Sequence, residues 1–162
     1  MSWRSAFLLQ ARSDNNIRKL LNEHNAPYAH QLHYLQMAWE KLSKGYSTPE
    51  NATDCPALVH RALVRCLQHL KTDRLHRSLL GYQDTAQFAQ YIDSLLPLAE
   101  QIQRLAPALA GTRQPNPEYP WQVTPQTPVI APVEFAFPQF NPRNPQMTKL
   151  NSLLDELLRI MT

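Results

Sequence analysis

Glycine is scarce in this chain, with three residues in 162 against fourteen prolines. So little glycine excludes a glycine-rich phosphate loop or dinucleotide turn and suits long helices. Cysteine is almost absent too. Cys55 and Cys66 stand eleven positions apart, roughly 16 Å on one helix at about 1.5 Å per residue. A disulfide needs Cα atoms within about 7 Å, so two thiols in a reducing compartment are expected. No zinc-ribbon spacing and no Ser-centred elbow occur, and no cofactor is implied. No apolar run approaches the ~20 residues of a membrane span, and Met1–Gln10 holds no long apolar core of a signal peptide. The expected location is the cytoplasm, without a membrane partner. The formal charge is only +3, short of the basic clustering typical of a dedicated nucleic-acid binder.

What is present is helical periodicity. Tyr28, Leu32, Leu35, Trp39, Leu42 and Tyr46 recur at four and three, which predicts a helix over about 27–45 with one apolar, aromatic stripe. Ala29, His33, Gln36, Glu40 and Ser43 fall on a more polar side. A first helix is predicted over 5–23. Phe7, Leu8, Ala11, Ile17, Leu20 and Leu21 are read as its inner face, with Arg12, Asp14, Arg18 and Lys19 toward water. Pro27 ends the intervening turn, because proline disfavours helix in the residue before it. Gly45 is placed to close the second helix in a left-handed conformation.

A third helix is predicted over 55–72, with Asp54 as N-cap and Pro56 in its first turn. Leu58, Ala62, Leu63, Cys66, Leu67 and Leu70 form its inner face. Gly81 marks a break. Asp84 then caps a fourth helix running to about Leu109, with Gln87 three residues on as in a capping box. Phe88, Tyr91, Ile92, Leu95, Ala99, Ile102, Leu105 and Ala106 line one side of it. Pro97 is expected to kink or divide this helix.

From 110 to 145 the character changes. Nine of the fourteen prolines fall here, with few charges. Tyr119, Trp121, Phe135, Phe137 and Phe140 are too many aromatics for a disordered linker, so an extended arm lying on the helices is expected. Val129–Phe137 alternates as one edge-like strand would. The chain closes on an amphipathic helix over about 144–162. Met147, Leu150, Leu154, Leu157 and Met161 are its candidate interface residues, capping the bundle or docking on a second copy or a partner. The predicted organisation is an all-α, antiparallel up-and-down bundle over 1–109, the arm over 110–145 and the terminal helix over 146–162.

The first two helices, reading AFLLQARSDNNIRKLLN and AHQLHYLQMAWEKLSKGY, resemble the HEPN family (higher eukaryotes and prokaryotes nucleotide-binding). The E-K-x-x-K portion falls on Glu40, Lys41 and Lys44. The resemblance covers roughly residues 5–106 and leaves the arm and terminal helix outside. It implies a helical bundle that dimerises or joins a larger assembly, as in bacterial defence or toxin–antitoxin systems. Many members are metal-independent ribonucleases with an arginine and a histidine at a short fixed spacing. The histidine moves a proton at the reacting oxygen, and the arginine holds the phosphate as charge grows on it. Here Arg65 and His69 have three residues between them and Arg61 and His69 have seven, both off that spacing. Arg18 and His24, with five between, match it, but at the end of the first helix.

A non-catalytic interaction or assembly protein, a homodimer or a subunit of a complex, is therefore the leading expectation. A ribonuclease with Arg61, Arg65, His69 and His76 is the alternative. A non-cleaving RNA binder using Arg61, Arg65, Lys71, Arg74 and Arg77 is the second. Those same basic residues are read first as a solvated helix face. His30 and His33 share a helix flank and are the candidate metal pair, but no third ligand stands beside them, so no metal is expected. Cys66 is read as a small core hydrophobe. Cys55, near a helix start, is a candidate reactive thiol.

Overall fold

The computed structural model describes residues 1–55, 62–110 and 113–162. These form seven α-helices: α1 (Trp3–Glu23), α2 (Tyr28–Ser47), α3 (Ala62–Leu70), α4 (Arg74–Leu79), α5 (Thr85–Gln103), α6 (Pro107–Ala110) and α7 (Pro145–Met161). The chain is an all-α bundle, with no strand among the described residues. The helix starts follow from side-chain caps. Ser2, Asp73, Asp84 and Asn144 accept backbone N–H bonds at the first turns of α1, α4, α5 and α7, satisfying donors that the helix itself leaves open.

The central element is α2, which packs against α1, α3 and α5. Its aromatic stripe is buried as expected at Leu32, Leu35, Trp39 and Leu42. The side read as polar is buried as well: Ala29, Gln36 and Ser43 are all inside. Charge on that side is neutralised internally, by Lys44 Nζ on Glu40 Oε1 at 2.6 Å and Gln36 Nε2 on Glu40 Oε2 at 3.0 Å. Gly45 does not close the helix in a left-handed turn. It is helical and buried, and a Cβ there would stand 2.8 Å from Leu8 Cγ and Cδ2. The glycine is needed because α1 passes this close to α2.

The face expected to be buried on α1 is rotated. Leu8, Ala11, Asp14 and Asn15 go inside, while Ile17 and Leu20 stay exposed. Of the side expected in water, Arg12 and Lys19 are exposed as expected and still reach α7, whereas Arg18 is half-buried and Asp14 buried. Asn15 Nδ2 donates to Asp155 Oδ1 at 2.6 Å, Lys19 Nζ meets the same oxygen at 2.8 Å, and Arg12 reaches the Leu158 carbonyl at 3.5 Å.

Pro56, Leu58, His60 and Arg61, placed by sequence on the third helix, lie outside the described residues. Of its remaining inner positions Leu63, Cys66, Leu67 and Leu70 are buried and Ala62 is half-buried. The short α4 has no counterpart in the sequence reading. Helix α5 runs unbroken through Pro97, which sits on an exposed side where water can serve the carbonyl that proline's missing N–H leaves open. It ends at Gln103 rather than Leu109, and α6 follows.

The described part of the arm, 113–145, packs on the helices but is not a strand. Residues 132–134 and 138–140 are one-turn 3-10 helices opened by Pro132 and Pro138. Proline fixes the turn-like φ and supplies no donor for a ladder. Among the described residues only Trp121 and Ile130 pair as a β-bridge, with N···O distances of 3.2 and 2.9 Å. Trp121, Phe137 and Phe140 plug the core, Phe135 packs edge-on to Trp121 and Phe137, and Tyr119 is exposed. Phe137 takes a left-handed φ of 46°, which costs about 1–2 kcal/mol and is offset by complete burial of its ring. On α7, Met147, Leu150, Leu154 and Leu157 are buried and Met161 is half-buried, against α1 and α5 of the same chain. The candidate interface face is thus covered from within the chain, the capping alternative of the two expected for it.

Candidate nucleic-acid interface

Where α3 meets the end of α5, an open cleft of about 500 Å³ is lined by side chains from both. Helix α3 supplies Val64, Arg65 and Gln68, α5 supplies Glu100 and Gln103, and Arg104, Leu109 and Gln114 complete the wall. The backbone N–H of Val64 donates to Gln103 Oε1 at 3.3 Å, which pins the start of α3 to α5 and fixes the cleft floor. A second hollow of about 380 Å³ shares Arg104 and Gln114 and continues along Gln101, Gln139 and Phe140.

Arg65 and Arg104 are both exposed, and neither forms an ion pair among the described residues. An unpaired guanidinium presents a planar fork of donors that matches a phosphate. Between the arginines lie Gln68, Gln103, Gln114 and one carboxylate, Glu100, so the lining offers both donors and acceptors. That mixture suits anionic groups carried on a hydrogen-bonding body better than a bare anion.

The other basic candidates divide. Lys71 is held by Asp93 at 2.7 Å. Arg77 is tied to the Gln83 carbonyl at 3.2 Å and to Thr85 Oγ1. Arg74 is exposed at the start of α4, outside the cleft lining, and Arg61 lies outside the described residues. His69 is one turn from Arg65, exposed, and makes no side-chain hydrogen bond that would orient its ring.

His76 stands apart from the cleft in a cluster of its own. Its Nδ1 meets Asp73 Oδ2 at 2.7 Å, the Tyr46 hydroxyl donates to that oxygen at 2.7 Å, and the rings of Tyr46 and His76 meet edge to face. Burial alone would lift the Asp73 carboxyl, but the His76 backbone N–H, the Tyr46 hydroxyl and the His76 ring hold it below its ordinary value. Burial and the Asp73 carboxylate push the Tyr46 hydroxyl well up, so it stays a donor. The cluster ties α2 to the cap of α4. The Asp-x-x-His spacing at 73–76 was its one signal in the sequence.

His30 is exposed, while His33 Nδ1 lies 3.8 Å from Glu118 of the arm. No group of three potential metal ligands occurs among the described residues. Neither cysteine is in a disulfide. Burial pushes the Cys66 thiol up to about 12, which suits an inert core residue. Cys55 is exposed. Arg18 and His24 do not form a pair: Arg18 bonds Asn15, and His24 is the exposed C-cap of α1. Within the E-K-x-x-K portion, Glu40 and Lys44 are the internal pair of α2, and Lys41 meets the Met37 thioether at 3.3 Å. Sequence reading missed Arg104 and Gln114, which are distant in the chain from Arg65 and carry no local motif.

Comparison with family models, with curated proteins and with solved structures finds no match for this chain.

Proposed function

We propose that this chain is a non-catalytic, HEPN-like helical module that binds single-stranded RNA, seating phosphates on Arg65 and Arg104. The supporting observation is the polar cleft itself, where two unpaired arginines from separate elements border amide side chains. Amides can read the edge of an unstacked base, while arginines position the backbone. Among the described residues no group orients the His69 ring, which favours holding over cleavage. Phe140, the aromatic at the adjoining hollow, is buried and offers no open face for a base to stack on, so binding is expected to be modest.

Fluorescence anisotropy with a labelled single-stranded RNA tests this. Arg65→Gln and Arg104→Gln should each weaken binding about tenfold and lower the salt slope by about one. Arg74→Gln, outside the cleft, should change little. Absent binding at low salt, or equal binding by the cleft variants, removes the proposal. Metal-free cleavage abolished by His69→Ala would favour a ribonuclease instead.

A second reading, assembly with another copy, is favoured by Leu9, Ile17 and Leu20, all exposed on α1. Leu9 and Leu20 are eleven residues apart, about three turns, and so share one stripe. Light scattering at high concentration decides it, and a strict monomer removes it.

A further inference from the structure

A separate cavity of about 240 Å³ lies where α1, α2, the arm and α7 converge, and it includes Arg18. The Arg18 Nε donates to Asn15 Oδ1 at 2.9 Å, but no carboxylate reaches ion-pair distance of its guanidinium among the described residues. Asp155, whose charge acts on Arg18 from beyond ion-pair distance, is already engaged by Lys19 and Asn15 at 2.8 and 2.6 Å. Two cations thus share one anion, and a positive charge is left over at the cavity. Burial lowers the pKa of Arg18, the sign of a desolvated guanidinium whose compensation is incomplete.

The rest of the lining is mixed, with Asn22, Gln31 and Asn151 beside the apolar Leu32, Leu35, Pro142 and Met147. Leu32, Leu35 and Met147 are buried floor residues. Asn151 stands on the α7 wall, and its Oδ1 is buried without a hydrogen-bond partner among the described residues, a costly condition for an amide oxygen. Tyr28 is not available to an anion, since its hydroxyl already donates to the Phe140 carbonyl.

We infer that this cavity binds a small monocarboxylate with an apolar tail and a hydrogen-bond donor beside the carboxylate, the chemistry of an apolar α-amino or α-hydroxy acid. The carboxylate pairs with the free edge of Arg18, the adjacent donor serves Asn151, and the tail lies on Leu32, Leu35 and Met147. The cavity is smaller than the ~300 Å³ lower bound of drug-sized sites, which fits a ligand of this size. The inference is independent of the RNA-binding cleft, because the two sites share no lining residue.

Isothermal titration calorimetry with L-leucine, with 2-hydroxy-4-methylpentanoate and with inorganic phosphate tests it. Saturable binding of either organic acid, weakened about tenfold or more by Arg18→Gln and absent for phosphate, is the expected result. Which acid binds more tightly decides between the amino and hydroxy classes. Binding of neither acid, binding unaffected by Arg18→Gln, or phosphate binding as tightly as the acids overturns the inference. Should Arg18→Gln fail to fold, nitrogen NMR of the unaltered protein replaces it. The Arg18 Nε–H resonance must then move on titration with the bound acid, and a stationary resonance overturns the inference equally.

Discussion

Between Trp3 and Ser47 the backbone is helical except for one short turn, whereas between Arg113 and Asn144 it makes two one-turn 3-10 helices and a single bridge. The hairpin satisfies its backbone internally and needs close approach, which Gly45 against Leu8 provides. In the arm, nine prolines within 110–145 remove a quarter of the backbone donors, and order comes from rings seated in the core. Order in the hairpin is therefore spread over many residues, and in the arm it is concentrated in Trp121, Phe137 and Phe140.

The largest expected effect breaks the arm at one of those anchors. Phe137→Ala should cost about 3–5 kcal/mol and open 113–144 to protease while the helical signal of the hairpin persists. Urea unfolding with limited proteolysis checks this, and loss of both regions together would mean the arm is not a separate layer of order. In the hairpin, Glu40→Gln leaves the buried Lys44 ammonium without its carboxylate. It should cost about 3 kcal/mol, read as a lowered urea midpoint at unchanged slope. Gly45→Ala is smaller. The added methyl must push Leu8 aside, a cost of about 1–3 kcal/mol, partly offset by about 1 kcal/mol of better helix propensity. A stabilised Gly45→Ala protein would contradict the close approach of α1 and α2.

The smallest effect concerns acid. Burial would raise Glu40, but Lys44 and Gln36 hold it below its ordinary value of 4.5, as the His76 amide and Tyr46 hold Asp73 below 3.8. A depressed carboxyl stabilises the fold above its unfolded value and loses that contribution as pH falls through the folded one. Asp14 has the opposite sign. Burial raises its pKa, so it favours the fold while protonated and loses that contribution as pH rises through its folded value. Thermal melts against pH should show Asp73→Asn flattening the acid limb and Asp14→Asn raising the neutral melting temperature.

Much of the hairpin was legible because Leu32, Leu35, Trp39 and Leu42 repeat at helical spacing, and Asp84 announces α5 in the same local way. The terminal helix was legible as a helix but not in its destination, since its stripe does not say whether the same chain or another covers it. The burial of Asp14 and Gln36 was hidden, because a polar residue reads as solvated until a partner such as Gln10 or Glu40 is in place. The 3-10 turns replaced an expected strand because alternation over 129–137 competes with proline geometry at Pro132 and Pro138. The cleft was half visible. Arg65 stood out in a basic stretch, but Arg104 carries no local motif, and only tertiary packing brings the two together.

The most direct measurement is a nitrogen–proton NMR footprint of the protein titrated with single-stranded RNA. Shifts concentrated at Arg65, Gln68, Arg104 and Gln114, with Leu9, Leu20 and Leu75 unmoved, are what the account predicts. Shifts confined to α1 or α4, or none at concentrations that saturate binding, would contradict it.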